Sequence, residues 1–311
     1  MLHIPIIRSI LLKKDILQKL NGQKMTTIFQ KLTIVLSLFV TISLYSGDKI
    51  TLGLTGVTLK EDIVTLMNLK NYLATHANIE VNLKFAKSYS IMESFIINES
   101  VDVAYVCGST YVNLNKLNKV ELLAIPTTHH QTSYSSLIVT KNNTPYQGLF
   151  DLKNKTFAMS DPDSNSGSLV PLYEIMKKGY NKDSFFQKVV YTYDHGESIQ
   201  AVLSGFVDAA SIDSMIYQAY MNKNPQDKEH LKVIDQFDDY PIPPFIIRKN
   251  MDNAVKIRLQ NALLDMHKES FGKEILNAMA IDAFVKPHAI SYDKIDAIKQ
   301  FIINYKSNHV N

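Results

Sequence analysis

The chain predicts an α/β protein built from two similar halves, and three observations carry that expectation. Short apolar strands alternate with amphipathic helices along most of its 311 residues, the pattern of βαβ units around a largely parallel sheet. The alternation breaks off near residue 133 and restarts at residue 155. The stretches "VDVAYVCGSTYV" (101–112) and "VDAASIDSMIY" (207–217) also share one grammar: a Val-Asp, a small apolar strand, then a polar turn entering a helix. No fixed short repeat links the halves, so the likeness is architectural and not that of a solenoid.

In order, "KITLGLTG" (49–56) alternates apolar with small or polar residues and ends on a glycine turn, which predicts a strand. "KEDIVTLMNLKNYLATHA" (60–77) places Ile63, Leu66, Met67, Leu69 and Leu73 on a stripe at helical period. "IEVNLKFA" (79–86) returns to strand alternation, "SYSIMESFIINES" (88–100) is helical, and "VDVAYVCG" (101–108) is an apolar run closed by glycine, as in a strand buried on both faces. After a strand and a proline-containing turn (133–154), "KTFAMSD" predicts a strand, "SLVPLYEIMKKGY" a helix ended by Gly179, and "QKVVYTYD" another strand. "ESIQAVLSGF" is then helical and "VDAASIDS" a strand. "YPIPPFIIRKN" (240–250) is stiffened by proline and extended, a return crossing, and residues 251–311 carry two or three amphipathic helices.

At 46% apolar residues the chain can bury a core. Its formal charge of +3 is unevenly spread: residues 1–46 hold six basic groups against Asp15, leaving 27 basic and 29 acidic groups in the remainder. A body so close to neutral lacks the basic face of a nucleic-acid binder. From Met25, a short basic segment precedes an apolar run from Leu32 to Tyr45, shorter than a span of about 20 residues and of secretory-leader length. Cleavage falls near Ser46 or Gly47, or else the segment stays as an anchor, since Leu44 breaks the small-x-small pattern. Translation is expected to start at Met25, and the mature protein to be exported. Cys107 is the only cysteine, so no intramolecular disulfide forms. No metal or cofactor motif is present; His129 and His130 are adjacent and not at a helical ligand spacing.

The densest polar cluster is "SDPDSNSG" (160–167), followed at once by a helix. A helix start leaves up to four unpaired N–H groups and about half a positive charge, so Ser164 and Ser166 either cap the helix or seat an anion. His195 heads another helix, as a cap, a solvated side chain, or an anion partner whose pKa an anion would raise. Tyr89 and Tyr134 are two of 16 tyrosines and serve packing or a cleft wall. Asp213 is either a helix cap or a ligand group. Cys107 ends its strand at the sheet edge where α/β proteins place ligands, or is an inert small core residue.

The chain resembles the periplasmic phosphate/phosphite/phosphonate-binding proteins that serve ABC importers. The resemblance runs from "KITLGLTG" to "ISYDKIDAIKQF" and rests on "SYSIMESFIINESVDVAYV", "TSYSSLIV", "LFDLKNKTFAMSDPDSNSGSLVP", "HGESIQAVLSGFVDAASID" and "YPIPPF". It implies two α/β lobes joined by two hinge crossings, closing on a ligand without chemistry. The expected partition is a leader and extension at 1–46, the first lobe at 47–140, the second at 141–239, and a return to the first at 240–311. The resemblance implies that Ser164, Asn165 and Ser166 hold the oxyanion, with His195, Tyr89 and Tyr134 around it and Asp213 placed for a ligand amine. Asn165 stands where the family has a threonine, and "VCGST", with Cys107 and Ser109, stands where many members have Gly-Pro. Three functions follow. One is a monomeric periplasmic binding protein for an ABC permease. The second is a periplasmic oxyanion sensor, arsenite-like in ligand, that uses Cys107 and partners a membrane histidine kinase. The third is an exported hydrolase using Ser166 or Cys107 with His195, for which no nucleophile elbow is visible.

Overall fold

The computed structural model describes residues 48–58, 62–288 and 290–309. The leader and the proposed start at Met25 lie outside the described residues. None of the described helices is long and apolar enough to cross a membrane.

The first sheet begins with β1 (Lys49–Leu54), and α1 (Ile63–Ala77) carries the chain to β2 (Glu80–Phe85). Asp62 starts α1: its carboxylate accepts the Thr65 N–H at 3.3 Å and the Thr65 hydroxyl at 2.7 Å. The helix buries Leu66, Leu69, Tyr72 and Leu73 against the sheet. Ile63 and Met67, expected on that stripe, are 52% and 40% exposed. At 3.6 residues per turn they lie roughly 100° or more around the helix from the centre of the buried face. Next come α2 (Tyr89–Ile97), β3 (Val103–Tyr105), α3 (Gly108–Lys116) and β4 (Val120–Thr127).

The chain then crosses to a second sheet. A turn at His129 and His130, both in the left-handed region, is closed by bridging of Thr128 with Gln131. This adjacent histidine pair is thus a turn, and no cluster of metal-ligating residues exists among the described residues. The second sheet is built from β5 (Ser133–Lys141), β6 (Thr156–Met159), β7 (Lys188–Tyr191), β8 (Ala209–Asp213) and β9 (Leu231–Pro241). Its helices are α4 (Val170–Lys177), α5 (Lys182–Phe185), α6 (His195–Ser204) and α7 (Ser214–Lys223). Pro241–Phe245 crosses back to β10 (Phe245–Arg248), followed by α8 (Asn253–Asp265), α9 (Ser270–Ala278), β11 (Ala283–Val285) and α10 (Asp293–His309).

The two sheets have one plan. The first runs β2-β1-β3-β10-β4 with β11 at its edge, and the second β7-β6-β8-β5-β9. In each, the three βα strands pair in parallel, and the fourth strand, arriving from the other sheet, pairs antiparallel on both sides. The sheets are therefore mixed, where alternation alone predicts a largely parallel arrangement. A strand delivered by a short crossing enters from the end at which the parallel strands finish, so it must run against them. The second sheet takes β5 entire, so the chain passes from one sheet to the other between Thr127 and Ser133. The C-terminal stretch contributes three helices and also the short β11. Its last helix spans the divide: Ile295 packs against Gly108 of α3, where an added Cβ would lie 2.5 Å from its Cδ1. Further along, Phe301 meets Tyr173 of α4 edge-on, with ring centroids 4.9 Å apart.

The two faces of α1 give a direct check on this packing. Leu69→Ala should cost about 2–5 kcal/mol through the cavity it leaves, whereas Ile63→Ala should stay within about 0.5 kcal/mol. Urea unfolding of the two variants reads the difference, and equal losses would place the buried face wrongly.

Candidate functional site

In each sheet the connections part in opposite directions between two adjacent strands, β1 and β3 in one lobe, β6 and β8 in the other. Open α/β sheets place ligands outside the carboxyl ends of strands at such switch points. The segments leaving these strands meet across the lobes. Asp161, after β6, accepts the Tyr89 N–H on Oδ2 at 3.0 Å. Asn165 donates its backbone N–H to the Cys107 Sγ at 3.3 Å, and the Ser109 hydroxyl donates to the Asp163 carbonyl. Lys223 at the end of α7 pairs with Asp62 of the first lobe at 2.8 Å. The approach at Gly56 is so close that a Cβ there would lie 2.9 Å from the Tyr193 carbonyl. These contacts describe a closed cleft.

At its centre lies the turn Ser164–Leu169, which runs directly into α4. Ser164 caps it, accepting the Gly167 N–H on Oγ at 3.1 Å, while its carbonyl accepts the Leu169 N–H, five residues on, at 2.9 Å. Such widened turns favour functional positions because they re-aim backbone groups. The Ser166 carbonyl is tied to the scaffold by the hydroxyls of Ser136 and Ser211 at 2.7 and 2.6 Å, both on central strands. A side chain at Gly167 would have its Cβ 2.0 Å from Ser160 Oγ and 3.1 Å from the His195 ring. Glycine there is a requirement of space.

His195, the first residue of α6, is buried. Its Nδ1 accepts the backbone N–H of Asp213 at 3.2 Å, which leaves the imidazole proton on Nε2. That nitrogen stands 3.3 Å from Ser160 Oγ and 3.5 Å from Ser164 Oγ. Burial lowers the His195 pKa to about 3, so the ring is a neutral N–H donor. Protonating Nδ1 would also break the bond from Asp213. Asp213 caps α7, its Oδ1 accepting the Met215 and Ile216 N–H groups at 2.8 and 3.4 Å. Burial raises its pKa to about 7, against the opposite pull of those two amides. Asp213 also borders a cavity of about 20 Å³, lined with Val57, Thr58, Asp62, Tyr105 and Met279 among others, room for one water.

All nine residues singled out from the sequence are buried and meet around this turn. Asn165 donates from Nδ2 to the Tyr134 hydroxyl at 3.0 Å. Tyr89 contributes its backbone N–H, and burial pushes both tyrosine hydroxyls well above their ordinary value. Burial likewise raises the Cys107 thiol, which keeps it protonated. Sequence reasoning missed Thr55, Thr110, Ser160 and Asp161. Thr55 follows β1 and Thr110 lies in the first turn of α3; both hydroxyls, like Asn165 Oδ1, are buried without a hydrogen-bond partner. Buried polar atoms are rarely left so, and these three lie in the segments that follow β1, β3 and β6.

A family model described as "ABC transporter, phosphonate, periplasmic substrate-binding protein" matches residues 57–292. The chain belongs to this family. It is 26% identical over 212 residues to the phosphonates-binding periplasmic protein of Escherichia coli, covering 65% of this chain and 61% of that one. It is 24% identical over 158 residues to a probable ABC transporter phosphite-binding protein of Prochlorococcus marinus, covering 49% and 53%. The chain thus spans between half and two thirds of the length of these relatives. A Prochlorococcus marinus binding protein solved in complex with methylphosphonate superposes with a TM-score of 0.73 at 19% identity, over 83% of this chain and 99% of that one. The two-lobed binding-protein fold is shared. The family is one of substrate-binding transporter components.

Asp213 supplies a pH test of the site's electrostatics. Its folded pKa lies above the ordinary 3.8, so its contribution to stability is complete below that value and is lost as pH rises through about 7. Asp213→Asn keeps a capping oxygen and cannot ionise. The variant should therefore gain on the wild type in urea midpoint between about pH 5 and about pH 8. A difference that does not change with pH would contradict the buried, raised carboxyl.

Proposed function

We propose that the protein is an exported, periplasmic solute-binding protein that captures a phosphonate, phosphite or phosphate-type oxyanion and delivers it to an ABC permease. The leader starting at Met25 directs export, and the binding protein acts as a monomer. The observation that carries this reading is the Ser164–Leu169 turn. It is a capped helix entrance holding serine hydroxyls at 164 and 166, with the His195 Nε2–H aimed at it and nothing on residue 167 to fill it. Hydroxyls and N–H groups bind an oxyanion by directed hydrogen bonds in a dry site, where each is stronger than in water. Tyr89 and Tyr134 wall the seat. Cys107, Ser109 and Asp213 frame it by holding Asn165, the Asp163 carbonyl and His195 in position. The crossings at 127–133 and 241–245 are the hinge, and Tyr89–Asp161, Ser109–Asp163 and Asp62–Lys223 are closing contacts between lobes. The sensor reading gains nothing from Cys107: its thiol is kept protonated by burial, and it is the chain's one sulfhydryl.

Calorimetric titration with methylphosphonate, phosphite and phosphate tests the proposal. At least one of these should bind with favourable enthalpy. The Ser164→Ala, Ser166→Ala double variant should weaken that binding by ~30-fold or more, since each hydrogen bond to a charged group contributes about 1.5–3 kcal/mol. Losing the Ser164 cap should cost only about 1 kcal/mol of stability, so the variant stays folded. Unchanged affinity in the double variant would remove the oxyanion from this turn.

A further inference from the structure

The seat holds a hydrogen-bond acceptor where an anion calls for donors. Asn165 is completely buried and three of its four polar groups are engaged, its carbonyl accepting the Val170 N–H. Its backbone N–H goes to Cys107 Sγ, and its Nδ2 to the Tyr134 hydroxyl. Its Oδ1 has no partner. A threonine hydroxyl at this position could turn its proton toward an anion oxygen; an amide oxygen cannot.

The charges around it point the same way. Asn165 is faced by Cys107 before α3, Tyr134 on β5, and His195 on α6 beyond Ser164. Tyr89 on α2, Asp161 after β6 and Asp213 before α7 complete the surroundings. The two tyrosines feel Asp213 and Cys107, and Tyr89 also feels Asp161. No lysine or arginine contributes to the shift of His195 or Asp213. A buried charge needs compensation, and a doubly charged oxyanion would meet Asp161 and, above about pH 7, the ionised Asp213, with only neutral donors to hold it.

We infer that the seat selects the singly ionised, proton-bearing form of its oxyanion, with the ligand's P–OH donating to Asn165 Oδ1 while its charged oxygens take the hydroxyl and N–H donors. This rests on the oxyanion reading above and specifies the chemical form it takes. Asn165 then acts as a specificity residue. It admits oxyanions that keep one acidic proton near neutral pH and disfavours esters or dianions that cannot donate.

The test is the affinity of the purified protein for phosphite, phosphate and methylphosphonate, measured across about pH 5.5 to about pH 9. These ligands differ in their second ionisation. Affinity should be flat below each ligand's second pKa and fall tenfold per pH unit above it, with a midpoint that moves from ligand to ligand. A midpoint common to all three would mean that a protein group such as Asp213 titrates instead, and would overturn the inference. So would affinity that rises with pH, which would show the amide turned with its NH2 toward the ligand. Asn165→Thr should relieve the high-pH loss by restoring a donor, and an unchanged profile in a variant that still binds would count against Asn165. Failure of all three ligands to bind at any pH would overturn the oxyanion reading itself, and the inference with it.

Discussion

The site depends on the hydrogen bond from the Asp213 amide to His195 Nδ1. It joins the end of β8 to the start of α6, and it decides which imidazole nitrogen carries the proton. With Nδ1 occupied as an acceptor, Nε2 must be the donor, and it is the nitrogen beside Ser160 and Ser164. The same bond keeps the ring neutral, in agreement with its burial. The cleft therefore handles charge with fixed dipoles and hydroxyls in place of a buried cation. Such an arrangement costs little to keep empty, since a buried, unpaired lysine or arginine would be far more expensive than neutral donors. It also makes the site responsive to the ligand's own charge.

The fold explains why these groups face one another. Each lobe repeats one strand order, and in each the fourth strand is the one that enters directly from the other lobe. The parallel strands of both sheets end toward the cleft, so the segments leaving β1, β3, β6 and β8 are gathered there together. The helix α10 ties the arrangement from outside, resting on α3 in one lobe and α4 in the other. Lys294 on α10 reaches the Asp238 and Asp239 carbonyls at 2.7 and 2.9 Å, which anchors the helix beside the return crossing.

Much of this was legible in the sequence. The strand and helix grammar survives because burial imposes period on side chains, and the Ser164–Ser166 turn stands out because capping residues cluster where a helix starts. The chain's kinship, read from those motifs, matches the family of residues 57–292. What escaped was long-range or too short. The strands β4 and β9 were not assigned, and β9, with one face in solvent, mixes charged and apolar residues without a clean alternation. At three residues, β11 is too short to show an alternation. Thr55, Ser160 and Asp161 at strand ends and Thr110 at a helix start are ordinary polar residues, and only the meeting of two lobes gives them significance. The sequence leaves the role of His195 open between cap, solvated side chain and anion partner. Its neutrality follows from a backbone partner 18 residues away in sequence, which no local pattern announces.

The most direct measurement is a crystal structure of the protein grown with methylphosphonate. The account predicts the phosphonate group within hydrogen-bonding distance of Ser164 Oγ, Ser166 and His195 Nε2, with the Asp213 amide still bonded to Nδ1 and the two lobes closed as described. A phosphonate bound elsewhere, or an imidazole turned so that Nδ1 faces the ligand, would contradict it.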